Sequence, residues 1–335
     1  IMIKSSNPNN NITTPDKLEE DQVNEQNLRP VSFKEFVGQK KEISKLKVYI
    51  QAAQKRGESL DHVILYGPPG LGKTTLANII AKELNVNIKM TSGPILIRAG
   101  DLAGVLTNLE DKSVLFIDEI HRINSVVEEY LYSAMEDYVI DIMLDQGPNA
   151  RSVQLNLNPF TLIGATTKLG NLTSPMRDRF GVVIRLDFYN HIELSKIVKR
   201  SADLLNIQID IEGCNQIASR SRGTPRIANR ILKRTRDFAD VKSDGIITKN
   251  IVAEALDALG IDDLGLDEMD INILKALVLN FNGGPVGLDS LGVVVSENPK
   301  TIEEVYEPFL IKEGFVQRTS RGRIALKKAI NYLKK

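Results

Sequence analysis

From residue 62 onward the chain alternates short, wholly apolar runs with helix-length amphipathic stretches. Val63-Ile64-Leu65-Tyr66, Val114-Leu115-Phe116-Ile117 and Phe160-Thr161-Leu162-Ile163-Gly164 are apolar at odd and even positions alike. Strands of that kind are buried on both faces, which predicts a parallel sheet covered by helices, an α/β fold. Upstream, Ile43, Leu46, Val48 and Ile50 fall near one helical face before Gly57 ends the pattern. Between about residues 191 and 260 the strand-like runs vanish, and helical spacing with interspersed Arg and Lys predicts a small all-helical domain. Past the acidic stretch 262–267, helical segments through Ala276, through Leu291 and over 301–312 lead into Gly314-Phe315-Val316-Gln317. A basic turn at 318–323 then passes into Ile324-Ala325-Leu326. Helices followed by strand, basic turn and strand is the order of a winged helix. Residues 1–27 are polar, rich in Asn and acids, and read as a disordered tail, because so few apolar side chains cannot offset the entropy of ordering.

Composition narrows this picture by exclusion. The 335 residues contain one cysteine, Cys214, so neither an internal disulfide nor a cysteine-cluster zinc site is available. His62, His121 and His191 lie too far apart in sequence for a His-rich metal signature. No run approaches the roughly 18 apolar residues of a membrane span, and no secretory leader is legible, so the expected location is cytoplasmic, with no membrane partner. Lys plus Arg equals Asp plus Glu, 43 each, which excludes a chain that is basic throughout. The charge is nevertheless segregated: residues 311–335 carry eight Lys or Arg against Glu313 alone.

The sharpest chemical signal is GPPGLGKTT at 67–75, a match to G-x-x-x-x-G-K-[ST]. It follows the first apolar run and opens a helix expected over 74–84. Average residue usage produces such a match by chance in about one chain of this length in a hundred. Glycines at such a turn let backbone N–H groups curl around phosphate, and the helix N-terminus adds partial positive charge. Gly70, Leu71, Gly72, Lys73, Thr74 and Thr75 are therefore the candidate ATP cradle. Lys73 is expected to reach the β- and γ-phosphates, and the Thr74 hydroxyl to ligate Mg²⁺. The second run ends in Asp118-Glu119, a carboxylate pair at the C-terminal end of a strand, where open α/β sheets present their ligands. Asp118 is expected to hold Mg²⁺ and Glu119 to polarise the attacking water; the bland alternative is that both acids cap the next helix. The third run ends in Thr166-Thr167, and a hydroxyl there can sense the γ-phosphate. Just beyond it, SPMRDRF at 174–180 carries an arginine pair suited to reach a neighbouring subunit's phosphate. Gly223-Thr224-Pro225-Arg226 opens a later helix and gives Arg226 a route to the nucleotide.

GPPGLGKTT, LFIDEIHR, FTLIGATT, SPMRDRFG and RGTPRIANR together resemble the RuvB family, the AAA+ motors of bacterial Holliday-junction branch migration. The resemblance runs from about Leu28 to the C-terminus. It implies an AAA+ P-loop NTPase core over 28–187, a helical lid over 188–260 and a winged-helix DNA-binding domain over 261–335. By the same resemblance Lys73, Thr74, Asp118 and Glu119 are the Walker residues, Thr167 is sensor 1, Arg179 the trans-acting arginine finger and Arg226 sensor 2. Leu28, Arg29, Glu136, Asp137, Tyr138 and Tyr189 match positions that the family uses around the nucleotide. The implied partners are duplex DNA at four-way junctions, a RuvA-type junction-binding protein, a RuvC-type resolvase and five further copies of the chain in a homohexameric ring. Two departures stand out: the Asn-rich tail, and a more apolar Gly93-Pro94-Ile95-Leu96-Ile97-Arg98 segment than the family usually carries.

Two further segments read as contact surfaces. Residues 139–144 and 153–157, joined by Gln146-Gly147-Pro148-Asn149, predict a hairpin projecting over about 138–158. Ile140, Ile142, Met143 and Leu144 make its first arm apolar on both faces, which marks either a docking patch or a tip folded back on the sheet. The resemblance favours docking to the RuvA-type partner. Arg318, Arg321 and Arg323 on the basic turn are candidates for DNA phosphates; the alternative is a solvated charge cluster. Motifs alone leave an ATP-driven DNA motor beside a non-motor ATP switch of the clamp-loader kind and, as a poorer fit to Arg179, a small-molecule kinase.

Overall fold

The computed structural model describes residues 12–14, 27–143 and 152–334. The chain divides into two compact units, one formed by Arg29–Phe188 and the other by Tyr189–Lys335 with the N-terminal residues through Leu28.

The first unit is built on a five-stranded parallel sheet: β1 (Val63–Tyr66), β2 (Ile88–Ser92), β3 (Val114–Asp118), β6 (Thr161–Thr166) and β7 (Val182–Arg185), in the order β2-β3-β6-β1-β7. The three apolar runs form the three central strands. β2 and β7 are edge strands: β2 has no fully buried residue, and β7 buries Val182 and Ile184 while exposing Val183 and Arg185, so neither is a doubly buried run. Helices α1 (Lys40–Arg56), α2 (Lys73–Leu84), α3 (Ala99–Leu106), α4 (Ser125–Glu136) and α5 (Ser174–Asp178) complete the unit. Ile117 is level with Gly164, and Gly164 with Ile64, so β3, β6 and β1 all end at one edge of the sheet. Asp118, Thr166 and Tyr66 are the last residues of these strands.

The hairpin pairs β4 (Val139–Met143) with β5 (Ser152–Asn156) in antiparallel register, Ile140 opposite Leu155 and Ile142 opposite Val153. Ile140 is fully buried in the cluster that contains Leu131, Met135, Leu157 and Phe160, and Ile142 packs against that cluster. The expectation that Ile140 offers a docking surface is thus corrected: at the root of the hairpin an apolar side chain gains more from the core under α3 and α4 than from water. The Gln146–Asn149 turn and Leu144 lie outside the described residues, and of Met143 only its place at the end of β4 is described.

The second unit holds four helices, α6 (His191–Leu204), α7 (Ile211–Arg220), α8 (Pro225–Lys242) and α9 (Lys249–Ala258), with a two-residue parallel pair, β8 (Gln208–Ile209) and β9 (Ile246–Ile247). It continues through α10 (Glu268–Lys275), α11 (Leu288–Val295) and α12 (Glu307–Lys312) to the wing, β10 (Val316–Thr319) paired antiparallel with β11 (Gly322–Ala325), and then α13 (Lys327–Leu333). A buried ionic knot joins the four-helix part to the winged part. The Arg222 guanidinium lies 2.6 Å from Asp270 and 3.0 Å from Asp267, donates to the Gly265 carbonyl and stacks 4.7 Å over the Phe309 ring. Burial pushes the Asp270 carboxyl upward, against the pull of Arg222. Three residues of the expected tail also belong here. Thr13 and Thr14 are buried, the Thr13 hydroxyl donates to Asp267, and Arg230 donates to the carbonyls of Ile12 and Thr14. Disorder was expected for these three from their polar neighbours, but one Thr hydroxyl and two carbonyls pair here with charged groups already buried.

Candidate functional site

The loop between β1 and α2 leaves the sheet through Gly67, whose φ is 143° and whose hypothetical Cβ would collide with the Leu186 carbonyl. Glycine is required there for both reasons. α2 then starts at Lys73 behind Gly72, and no side chain caps it, as is also the case for α1, α8, α9, α11 and α13. A helix start with its first-turn amides left for a ligand is the electrostatic arrangement an anion needs. The Lys73 ammonium is buried over this loop and donates to the Gly67 carbonyl (2.8 Å) and the Pro68 carbonyl (2.9 Å). Thr74 sits half-buried in the first turn, and Thr75 is buried beneath it.

At the neighbouring strand end, Asp118 and Glu119 are both half-buried. The Glu119 amide donates to Asp118 Oδ1 (3.0 Å), and Glu119 itself adopts φ 48° and ψ 44°, a left-handed turn that swings its side chain off the line of the strand. His121, in the 3₁₀ turn Ile120–Arg122, places Nε2 3.4 Å from Glu119 Oε2 and Nδ1 2.9 Å from the Thr166 hydroxyl. Thr166 is fully buried and Thr167, the expected sensor, is half-buried one residue further. The capping alternative for the acid pair fails on geometry: Asn124 caps α4, accepting from the Val127 amide.

Arg179 follows α5. Its guanidinium lies 3.1 Å from Glu136, donates to the Pro175 carbonyl (2.9 Å) and stacks 4.4 Å over the Tyr132 ring. Glu136 is therefore engaged with the arginine, and Asp137 ends α4 with its amide on the Ser133 carbonyl. Tyr138, at φ 53°, packs edge-on to Phe160, and burial pushes its phenol pKa up. Leu28, Tyr189 and Arg226 belong to the other compact unit, while Arg29 opens this one. Leu28 is buried with its carbonyl accepting from Arg200, the Tyr189 amide donates to the Gly223 carbonyl, and Arg226 stands half-buried in the first turn of α8.

The wing departs most from its sequence reading. Arg318 and Arg323 face each other across the β10–β11 pair, an unfavourable like-charge register unless an anion bridges it. Glu307 is that anion. It is buried, and its two oxygens accept from Arg318 at 3.1 and 2.8 Å and from Arg323 at 3.0 and 3.1 Å; Glu303 adds a contact to Arg318 at 2.8 Å. Burial alone would raise the Glu307 pKa, but the hydrogen bonds from Arg318 and Arg323 outweigh it and hold the carboxyl below its usual range. Arg321, at the turn, is exposed, and Arg318 stays exposed beside it despite its ion pairs, whereas Arg323 is the more enclosed.

The comparisons agree along the whole length of this arrangement. Three family descriptions match in succession: "Holliday junction DNA helicase RuvB P-loop domain" over residues 28–186, "RuvB AAA lid domain" over 189–262 and "RuvB C-terminal winged helix domain" over 263–334. The Holliday junction branch migration complex subunit RuvB of Flavobacterium johnsoniae is 58% identical over 93% of this chain and 92% of its own. That of Flavobacterium psychrophilum is 57% identical over 100% and 97%. This chain belongs to the RuvB family. A solved structure described as the Thermotoga maritima RuvB Holliday junction branch migration motor superposes with a TM-score of 0.84 at 51% identity, covering 92% of this chain and 99% of that one. Family membership fixes the fold class as expected: an AAA+ P-loop core, a helical lid and a winged helix.

Sequence reasoning missed two groups at the site. His121 lies two residues past Glu119 on a tight turn, a spacing that aims it back at the carboxylate, and the quoted LFIDEIHR contained it. Glu307 gave no local signal, because its arginine partners follow 11 and 16 residues later.

Proposed function

We propose that this chain is an ATP-driven motor that moves duplex DNA at four-way junctions and so drives branch migration in recombination and repair. The reading is supported chiefly by one juxtaposition: an uncapped P-loop helix carrying a buried lysine stands at the same sheet edge as a paired Asp and Glu. It is supported further by the full-length match to branch-migration relatives.

ATP is held by the amides of Gly70, Leu71 and Gly72 and of the first turn of α2, with Thr75 behind them and the Lys73 ammonium exchanging loop carbonyls for phosphate oxygens. The Thr74 hydroxyl and the Asp118 carboxylate are hard oxygen donors, the set that suits Mg²⁺. A magnesium ion held there would supply charge neutralisation to the triphosphate. Glu119 accepts the proton of the attacking water, and Thr167 orients the γ-phosphate. Arg179 enters the pocket of an adjacent subunit in a homohexameric ring, releasing an exposed Glu136 whose pairing is too weak to hold it. Leu28, Arg29, Glu136, Asp137, Tyr138 and Tyr189 serve the adenine nucleotide, as the family resemblance implies, and Arg226 relays phosphate release to the lid. Arg321 contacts the DNA backbone, helped by Arg318 and, less directly, by the more enclosed Arg323. The hairpin tip, from Ile142 through Met143 and Leu144, docks the RuvA-type protein, and a RuvC-type resolvase joins the same complex. The cytoplasm is the expected compartment, and among the described residues no helix is long and apolar enough to cross a membrane.

Migration of a four-way junction by the full chain, with ATP-Mg²⁺ and with or without a RuvA-type protein, tests this reading. ATP-dependent strand exchange that the partner enhances supports it. ATP turnover without any junction movement would move the chain to the class of non-motor switches.

A further inference from the structure

The Glu119 carboxylate is the part of the site whose position matters most and whose main-chain anchor says least about it. Its backbone is pinned. The amide is on Asp118 Oδ1, the carbonyl accepts from the Arg122 amide at 2.9 Å, and that same carbonyl lies so close to Gly93 that any Cβ there would collide with it. The side chain, by contrast, extends from a left-handed turn through three rotatable bonds and is 36% exposed. A general base left to wander over that range loses rate steeply, since displacement by about 1 Å can cost about 100-fold.

His121 is built to restrict it. The ring is 9% exposed, and its two nitrogens face two different elements: Nε2 toward Glu119 on the β3 turn, and Nδ1 toward Thr166 at the end of β6. Thr166 is immobilised in turn. It is fully buried, and its hydroxyl oxygen accepts from the Lys168 amide at 2.9 Å. With that amide on one lone pair of the oxygen, the hydroxyl still bonds Nδ1 whichever of the two atoms donates, and so holds the ring in place. At 3.4 Å from Oε2 the ring nitrogen stands at contact distance from the carboxylate, close enough to limit where Glu119 can go. A short, strong bond would instead lower the basicity of the carboxylate. Thr167 is covalently next to Thr166, so a shift of the β6 end moves the ring.

We propose that His121 is the positioning residue that sets the Glu119 carboxylate, coupling it through Thr166 to the strand end that carries Thr167. The proposal rests on the reading of Glu119 as the general base. It assigns His121 no proton transfer; the ring acts as a fixed neighbour that sets the position of the carboxylate.

Steady-state ATP hydrolysis by the full chain with duplex DNA, together with binding of a fluorescent ATP analogue, tests it across six variants. Glu119→Gln is the control for the underlying reading: loss of turnover with binding kept supports Glu119 as base, and turnover near wild type overturns that reading by itself. His121→Ala is expected to lower kcat by about 30-fold, with KM and analogue binding within about twofold. His121→Gln, whose amide Nε2 can take the place of the ring Nε2 beside the carboxylate, is expected to recover most of that loss. Thr166→Val is expected to lower kcat by about fivefold and Thr166→Ser to match wild type. The double variant His121→Ala/Thr166→Val is expected to be no slower than His121→Ala, because the threonine acts only through the ring. A His121→Ala enzyme within twofold of wild type, a His121→Gln enzyme as slow as His121→Ala, or losses that multiply in the double variant would each overturn the proposal. If His121→Ala fails to fold, the His121→Gln and Thr166 variants decide alone: full kcat in Thr166→Val overturns it.

Discussion

The P-loop and the wing are both short turns rich in groups that bind phosphate, yet they keep their partners at very different distances along the chain. Lys73 donates to carbonyls five and six residues away, and its loop is shaped by contiguous backbone. Arg318 and Arg323 meet a buried carboxylate 11 and 16 residues upstream, on another helix. A turn whose geometry is written in its own residues keeps its function when read as a motif. A cluster of charges does not, because a single distant anion decides which cations face outward.

The largest effect expected on the P-loop side is from Arg179→Ala. ATP turnover falls by about 1,000-fold or more while nucleotide binding persists, since a finger stabilises charge that develops only in the transition state. Unchanged turnover would remove Arg179 from the chemistry. On the wing side the comparison is sharpest at Arg323. Its removal leaves the buried Glu307 with Arg318 and Glu303 alone, so Arg323→Ala destabilises the winged part by about 3 kcal/mol, as a shift in its denaturation midpoint. A midpoint within error of wild type would mean that the Glu307 pairing carries no structural weight. Arg321→Ala does the reverse: stability holds, DNA affinity falls several-fold at all sequences, and the log–log salt slope of binding shrinks by about 1.

The smallest effect separates the two regions by pH. His62 is buried, its Nδ1 accepting from the Leu162 amide and its Nε2 donating to the Met135 carbonyl, and burial lowers its pKa. A lowered histidine pKa means that the unfolded chain binds the proton first. The sheet unit therefore loses stability as pH falls below about 6.5, the unfolded value. Glu307 has a depressed carboxyl pKa, so its contribution is whole above about 4.5 and disappears only as pH falls further, through the folded value. Hydrogen exchange followed from pH 7 downward should show the Leu162 amide loosening before the wing does. Simultaneous loosening would contradict the assignment.

What was legible in the sequence follows the same division. The three central strands could be read because both of their faces are buried, and Gly67, Lys73, Asp118 and Glu119 because their spacing is local. β2 and β7 escaped because edge strands are not buried on both faces. Ile140 was misread because an apolar residue in a hairpin looks alike whether it points to a partner or to the core under α4. The docking of Thr13 and Thr14 on Asp267 and Arg230, more than 200 residues away, left no trace in composition or period. His121 carried no readable signal, since its meaning depends on a fully buried hydroxyl 45 residues later.

The central claim is that each ATP pocket is completed by a second copy of the chain, and mixing two inactive variants tests it directly. Glu119→Gln keeps its finger and loses its base; Arg179→Ala keeps its base and loses its finger. In a ring assembled from equal parts of both, about a quarter of the interfaces combine an intact base with an intact finger from the neighbour, so the mixture should hydrolyse ATP far faster than either parent. A mixture no faster than the sum of its parents, under conditions in which the variants co-assemble, would show that base and finger must reside on one chain.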